Sequence, residues 1–388
     1  MFEIAIVTEK NEKDFFQAAL NIYENDENWV APLNGDVLGF FYSGNKPREK
    51  KCNFQLWVLY ENKIPVGRIS AFLPVKKPKA NEIKAGGIGF FDCINSQEAA
   101  NMLFNVAVDW LKAENMQAVD ANTVPGENFN HWGVLVDGFI PQAYGMPYNK
   151  EYYKELFENY GFQNYFEQYS YHIDLQKPFP QRHIDFAQRV IDSGDFDFKH
   201  LDFKQTDKFV DDVTTVFNEV WSYFHADYTK VERKEFEKMF KAMKPIVNPK
   251  LVWFVYKDGR PIGMEVCLPD LNQVIKPFKG KLNLFNSLKL VSKIKKVKRA
   301  RVIVFGVHPD YQRIGVTHAL YVKMLGGLRE AGVTELEMSW VGDYNQAVNR
   351  IYRYLGNSHL AKTHITYRYM IDKNCKFERF TNEKQENQ

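Results

Sequence analysis

The sequence has few cysteines and no long apolar run, and both shortages narrow the class of protein. Its four cysteines, Cys52, Cys93, Cys267 and Cys375, are scattered without the spacing of a metal site or a redox motif. They are therefore interpreted as free thiols in a reducing compartment. No uninterrupted apolar stretch approaches the roughly 20 residues that span a bilayer, and no charged-then-apolar secretory signal is evident near the N-terminus. We expect a cytoplasmic protein with no transmembrane segment.

A strong excess of one charge is also missing. The 388 residues carry a formal net charge of +3, which is too small to indicate a nucleic acid partner by itself. At about 150 residues per domain the length predicts two domains. No group of residues has the spacing of a metal cluster or a nucleophilic triad, so no metal cofactor is expected.

The most informative stretch runs from Arg301 to Tyr321. Residues 302–307 form an uncharged run rich in β-branched side chains, as in a buried strand, and Pro309 ends it. Gly315 follows, and the apolar residues after it recur at helical spacing, which predicts a helix that begins near this glycine. The free N–H groups at such a helix start bind an anion, and a pyrophosphate would fit.

This stretch resembles motif A of the GNAT acyltransferase superfamily, whose loop binds the pyrophosphate of acyl-CoA. Gln312 and Gly315 match the pattern, whereas Thr317 stands where Gly or Ala is usual. The resemblance implies a cofactor site on the strand edge at Val307 and on the loop that follows. The loop residues implied are Gln312, Arg313, Ile314, Gly315, Val316 and Thr317. For the loop alone, a buried strand followed by an ordinary glycine turn is the alternative.

A second signature lies downstream, after an alternating strand at residues 334–340. Residues 345–356 resemble the Asn-x-x-Ala-x-x-x-Tyr-x-x-x-Gly-Phe signature of GNAT enzymes, with the final Phe replaced by Asn357. By this resemblance Tyr352 donates a proton to the CoA thiolate and Asn345 contacts the pantetheine arm. The alternatives are a tyrosine that only packs in the core and an asparagine that only caps a helix.

The general base is the least defined part of the predicted site. Acyl transfer to an amine requires a deprotonated amine. Many GNAT enzymes carry a glutamate in the strand before the loop, but residues 302–307 contain no acid. Glu337, in the following strand, is the first candidate, and Glu265, Asp343 and His308 are the others.

The same order of elements occurs twice along the chain. The N-terminal half also ends in a Tyr-x-x-x-Gly-Phe-like segment, but residues 92–97 lack the glycine pattern, so no phosphate-binding loop is expected there. The chain resembles bacterial proteins with two tandem GNAT-like domains. This predicts an α/β (α+β) fold in which each domain is a mixed, mostly antiparallel twisted sheet flanked by helices. The predicted limits are residues 1–178 for the N-terminal domain, 179–373 for the C-terminal domain and 374–388 for a disordered tail.

A Lys-rich insertion, residues 276–299, precedes motif A and has the pattern of a basic amphipathic helix. Its positive charge suits the 3′-phosphate of CoA, a membrane surface or an anionic acceptor. The alternative is a solvated charged face over an apolar stripe.

Taken together, these features predict a CoA-dependent N-acyltransferase. It would transfer an acyl group, expected to be acetyl, from acyl-CoA to a small-molecule or peptide amine. The C-terminal domain is expected to bind acyl-CoA and the N-terminal domain to shape the acceptor cleft. A non-catalytic acyl-CoA sensor is one alternative, favoured by Thr317 and the missing base. A transferase that uses aminoacyl-tRNA is another, supported only by the Lys-rich insertion. The sequence does not indicate an oligomeric state.

Overall fold

The computed structural model describes residues 1–43, 48–75, 82–126, 130–224 and 230–381. Within these residues, 13 strands form one continuous mixed sheet. The strands are β1 (Phe2–Ile6), β2 (Phe54–Glu61), β3 (Ile64–Phe72), β4 (Ala85–Cys93), β5 (Ala118–Ala121), β6 (Val134–Asp137), β7 (Gln163–Asp174), β8 (Asp197–His200), β9 (Val252–Lys257), β10 (Arg260–Pro269), β11 (Arg299–Val307), β12 (Glu335–Gly342) and β13 (His359–Met370).

Helices pack against this sheet in both halves of the chain. They are α1 (Glu12–Ile22), α2 (Asn34–Phe41), α3 (Gln97–Ala113), α4 (Tyr153–Tyr160), α5 (Gln181–Asp192), α6 (Thr206–Phe224), α7 (Arg233–Met243), α8 (Asn272–Ile275), α9 (Leu284–Lys293), α10 (Val316–Glu330) and α11 (Gln346–Tyr354). No helix in the described ranges is long and apolar enough to cross a membrane.

The two halves repeat one arrangement, as the sequence predicts. In the N-terminal half, α3 connects the parallel strands β4 and β5; in the C-terminal half, α10 connects the parallel strands β11 and β12. Both helices bury apolar residues at helical spacing against the sheet, such as Leu320, Met324 and Leu328 of α10. The mixed, mostly antiparallel sheet and its flanking helices confirm the predicted fold class.

The last strand of each half pairs with the other half. The strand order is β1-β2-β3-β4-β5-β13-β7-β12-β11-β10-β9-β8, and β6 also pairs with β13. Strand β7 therefore lies beside β12 of the C-terminal half, and β13 lies beside β5 of the N-terminal half. Because β7 and β13 also pair with each other, the sheet runs through the predicted boundary at residue 178. Separate domains on either side of it stay a prediction.

The predicted tail is ordered over its first part. Phe380 donates its backbone N–H to the Tyr165 carbonyl over 2.9 Å, and its ring packs against Phe166 and Tyr344. Arg379 forms a 2.6 Å ion pair with Asp343. These contacts hold the chain against the sheet as far as residue 381, and residues 382–388 lie outside the described ranges.

Candidate functional site

Strands β11 and β12 start as a parallel pair and then diverge. Their register runs from Arg299 opposite Glu335 to Val302 opposite Met338 and goes no further. On its other side, β11 stays paired with β10 as far as Val307. The β12-facing backbone edge of residues 303–307 therefore has no strand partner among the described residues. Apart from the Val307 carbonyl, which accepts a hydrogen bond from the Gln312 side chain, its N–H and C=O groups are available to an extended ligand.

A β-bulge lies where the strands part. Cys267 of β10 faces Val302 and Val266 faces Val304, so Ile303 has no partner on β10. An extra residue of this kind bends a strand and reverses the face to which the following side chains point. Ala300 and Val302 belong to the core under α10; beyond the bulge, Phe305 again faces α10, beside Thr317 and Tyr321.

The loop after β11 leads directly into the start of α10. Gly315 is the N-cap residue with φ = 90°, a left-handed conformation that favours glycine, and no side chain caps the first turn. Val316 is buried, Thr317 is half-buried, and Arg313 and Ile314 are exposed. The Gln312 side chain donates a 2.9 Å hydrogen bond to the Val307 carbonyl, tying the loop to the strand end. The uncapped N–H groups at the start of α10 are therefore open to an anion, and binding of one there stays a prediction.

Helix α5 packs against this loop, a contact that the sequence did not indicate. A Cβ on Gly315 would lie 2.7 Å from Val190 Cγ2 and 3.0 Å from Phe186 Cζ. Any substitution of Gly315 would therefore disturb packing and backbone conformation as well as anion binding. Thr317, which lines the adjoining cleft, is the cleaner position for a test of this loop.

A narrow cleft lies between α10 and α11 above the divergence. Its lining residues are Phe305, Thr317, His318, Tyr321, Ile351 and Leu355. Apart from the hydroxyl groups and the imidazole ring, the lining is apolar. Tyr321 and Leu355 of this lining also belong to the buried cluster in the interior beneath α11.

Tyr352 lies in this interior on α11, and it is 6% exposed. Its ring makes an edge contact with Tyr171, with 5.7 Å between centroids. Within the described part of the chain, its hydroxyl has no hydrogen-bond partner. Burial, with a further contribution from the nearby charge of Glu265, raises the pKa of Tyr352 well above its ordinary value. The phenol is therefore protonated at neutral pH, the form that can donate a proton.

Glu265 is the carboxyl group on the same face of the sheet as Tyr352. It pairs across β10 and β11 with Phe305, a residue of the cleft, and directly opposed residues share a face. Glu265 is 1% exposed, and its Oε2 atom has no hydrogen-bond partner within the described residues. Burial alone raises its pKa to about 8. A group with this pKa can accept a proton in mildly alkaline solution.

Glu337, the first candidate for the base, lies on the opposite face of the sheet from Tyr352. Its neighbours Leu336 and Met338 lie in the core cluster that contains Tyr352, and successive side chains of a strand point to opposite faces. Glu337 is fully buried on the other face, where its Oε1 accepts a 2.7 Å hydrogen bond from the Lys362 Nζ. The alternating pattern shows that Glu337 and Met338 face opposite ways, but it does not reveal which face holds the site.

The asparagines of the second signature are used by the fold. Asn345 caps α11, because its side-chain oxygen accepts a 3.1 Å hydrogen bond from the Val348 N–H. Asn349 is buried; it donates to the Gly342 carbonyl and accepts a 3.0 Å hydrogen bond from the Tyr171 hydroxyl. Capping, which the sequence leaves open for Asn345, is thus present, and contact with pantetheine stays a prediction.

The equivalent position in the N-terminal half is closed by the protein itself. Strands β4 and β5 pair as far as Ile88 and Ala121, but the Thr123 N–H then donates to the Ile88 carbonyl over 2.8 Å. The start of α3 is capped as well, since Ser96 Oγ accepts from the Ala99 N–H. Of these two equivalent positions, the one in the C-terminal half has both an open strand edge and an uncapped helix start, and the one in the N-terminal half has neither.

The chain is similar to several known proteins. Residues 213–356 match the acetyltransferase (GNAT) family. Bacterial ceramide synthase of Caulobacter vibrioides (strain NA1000 / CB15N) is 28% identical over 375 residues, covering 94% of this chain and 96% of that protein. Protein YghO of Escherichia coli (strain K12) is 27% identical over 361 residues and 89% of each chain.

The fold has solved counterparts. The tandem GNAT protein from the clavulanic acid biosynthesis pathway matches with a TM-score of 0.56 at 11% identity, over 95% of this chain and 98% of that one. This likeness concerns the fold, and the family match concerns the half that contains both signatures. Residues 213–356 therefore match the GNAT family, and the chain as a whole has the fold of a tandem GNAT protein.

Proposed function

We propose that the chain transfers an acyl group from acyl-CoA to an amine where β11 and β12 diverge. The observation that carries this proposal is the open edge of residues 303–307, which leads to the uncapped start of α10. The pyrophosphate would accept hydrogen bonds from the N–H groups of residues 315–318, and the pantetheine amides would pair with the open strand edge. The adenine side of the cofactor would then face solvent near Arg313 and Ile314.

The chemistry of this reaction needs a base and an acid. The amine nitrogen attacks the thioester carbonyl, the carbon–sulfur bond breaks, and the amine proton leaves. Tyr352 would donate its proton to the leaving thiolate. Glu265, in place of Glu337, would accept the amine proton through an intervening water, because its carboxyl group and the Tyr352 ring share the face under the cleft. The N-terminal half would shape the part of the site that binds the acceptor. The reaction would take place in the cytoplasm, because four free cysteines are typical of a reducing compartment.

A long-chain amine is the acceptor class that we propose. The relative named bacterial ceramide synthase matches over nearly its whole length, and a ceramide is a long-chain amino alcohol acylated on nitrogen. The same comparison favours a fatty acyl donor, whereas the family description favours acetyl. Both donors belong in the test.

The direct test is release of free thiol from acetyl-CoA and palmitoyl-CoA, measured with and without a long-chain amine such as sphinganine. We expect amine-dependent thiol release and an amide product detected by mass spectrometry. A panel of short, water-soluble amines is the control for acceptor class. Binding of acyl-CoA without turnover for any amine would favour the alternative of a non-catalytic sensor.

A pH experiment tests the environment of Glu265. In the folded protein Glu265 keeps its proton up to about pH 8, whereas in the unfolded chain a glutamate with the ordinary pKa of 4.5 loses it at lower pH. The free energy of unfolding should therefore fall as the pH rises between these two values. At about 1.4 kcal/mol per pKa unit, the loss is at most about 5 kcal/mol. Glu265→Gln removes this titration. In urea unfolding, the variant should gain stability relative to wild type from pH 5 to pH 8.5.

The same comparison contains its own control. If wild type and Glu265→Gln differ in free energy of unfolding by the same amount at pH 5 and at pH 8.5, Glu265 is not the group that titrates. Turnover of Glu265→Gln should fall at pH 8.5, where the wild-type carboxyl group is ionised, if Glu265 is the base. Normal turnover of the folded variant would leave Glu265 a buried group of the core.

A further inference from the structure

Helix α9, within the Lys-rich insertion, is anchored to the protein by one side only. Leu290, together with Ile294 at its C-terminal end, packs into a cluster with Val30, Leu271 and Phe278. The Asn283 side chain caps its start by accepting a 2.9 Å hydrogen bond from the Asn286 N–H. The helix therefore has a fixed orientation, so that its other side points away from the body of the protein.

That other side is apolar and exposed. Leu284, Leu288 and Val291 are 73%, 62% and 50% exposed, and their spacing of four and three residues places them on one face. Phe285, beside them, is 81% exposed. Single exposed apolar residues are ordinary, but four on three consecutive turns form a patch.

Lysines flank this patch along the chain, with no acidic residue among them. Eight lysines occur between residues 276 and 298, and no Asp or Glu occurs from residue 271 to 309. Since the whole chain carries +3, the rest of it carries a net charge of −5. None of these lysines forms an ion pair with a described residue. The positive charge of the protein is thus concentrated in the segment that contains α9.

The position of α9 argues against contact with the 3′-phosphate of CoA. The helix lies before β11, whereas the anion-binding loop follows that strand. Eight steps of about 3.3 Å along a strand correspond to about 26 Å, which separates the two ends of β11. A ligand bound at Gly315 therefore lies at the opposite end of the strand from the lysines.

We propose that α9 docks on a membrane surface that contains anionic lipid, with Leu284, Phe285, Leu288 and Val291 inserted between the headgroups. An amphipathic helix with an apolar face and flanking lysines binds such surfaces through apolar burial and attraction to anionic headgroups. A protein partner explains the pattern less well, because lysine is depleted in protein interfaces. Single-stranded nucleic acid is recognised by aromatic stacking, whereas three of the four apolar side chains are aliphatic.

Flotation with lipid vesicles tests this docking with the full chain. Wild type should float with phosphatidylglycerol-containing vesicles and much less with pure phosphatidylcholine vesicles. Phe285→Ser combined with Leu288→Ser should abolish flotation. Lys289→Gln combined with Lys293→Gln should weaken it about 25-fold on anionic vesicles, at about fivefold per lysine. Ile64→Ser combined with Lys63→Gln is the matched control, since both residues are exposed on the β2–β3 turn, and it should float like wild type.

Three results would overturn the proposal. The first is equal flotation of wild type and the serine double variant, with unchanged thermal midpoints. The second is an oligomer of wild type that the same substitutions convert to a monomer, which would assign the patch to a second copy of the chain. The third is salt-sensitive RNA binding that is lost in the lysine variant and kept in the serine variant. The vesicles contain no acyl-CoA or amine, so the outcome is independent of the proposed reaction.

Discussion

Tyr352→Phe should lower kcat by about 10²- to 10⁴-fold, the usual contribution of a positioned acid, while acyl-CoA affinity stays close to that of wild type. The substitution removes one oxygen atom and keeps the ring that packs against Tyr171. Because the Tyr352 hydroxyl lacks a hydrogen-bond partner within the described residues, its removal should cost little stability. The measurement is kcat, thermal midpoint and acyl-CoA affinity on the same preparation.

Tyr171→Phe is the matched control for this substitution. Tyr171 is also buried, but its hydroxyl donates to Asn349 over 3.0 Å and accepts from Arg353. Loss of these bonds should cost about 1 kcal/mol of stability with kcat within a few-fold of wild type. Were Tyr352→Phe to behave like this control, Tyr352 would be a packing residue and the leaving thiolate would need another acid.

Lys362→Met should destabilise the protein by about 3–5 kcal/mol, as expected when one partner of a buried ion pair is removed. Lys362 Nζ and Glu337 Oε1 are 2.7 Å apart, and both side chains are fully buried. Lys362 lies on β13 and Glu337 on β12, with β7 between them, so the pair spans the strands that join the two halves. The methionine would leave the Glu337 charge without its partner. Urea unfolding measures the difference.

A second substitution separates the charge effect from a change in packing. Glu337→Leu combined with Lys362→Met removes both charges and should recover most of the lost stability, since an apolar pair of similar volume is often as stable as a buried ion pair. This double variant also tests the original candidate base. Turnover close to wild type would exclude Glu337 from the chemistry, whereas a folded but inactive double variant would restore Glu337 as the base.

The sequence predicts local elements well where the pattern of residues decides the structure. The uncharged run before Pro309 and the glycine at 315 predict the end of β11 and the start of α10, although β11 begins three residues before the run, at Arg299. Asp258 and Gly259, a residue pair that favours a tight hairpin turn, join β9 and β10. These features depend on neighbours in the chain, so local propensity suffices.

Pairing between distant strands is not encoded in this local way. The residues of a strand do not determine which distant strand it pairs with, and the exchange of β7 and β13 between the halves depends on the whole sheet. The bulge at Ile303 likewise depends on the register with β10. For the same reason Glu265, which the sequence offers only as a secondary candidate, emerges as the acid beneath the cleft once the strands are paired.

The central claim is that the start of α10 in the C-terminal half binds acyl-CoA. Its most direct test is calorimetric titration of wild type and two variants, Thr317→Glu and Asn95→Glu, with CoA and acyl-CoA. Thr317→Glu places a carboxylate in the first turn of α10, where it competes with the pyrophosphate and still suits the helix N-terminus. Asn95→Glu places the same charge on an exposed residue before α3. We predict that wild type and Asn95→Glu bind equally and that Thr317→Glu does not bind. Loss of binding in Asn95→Glu with full binding in Thr317→Glu would contradict the account.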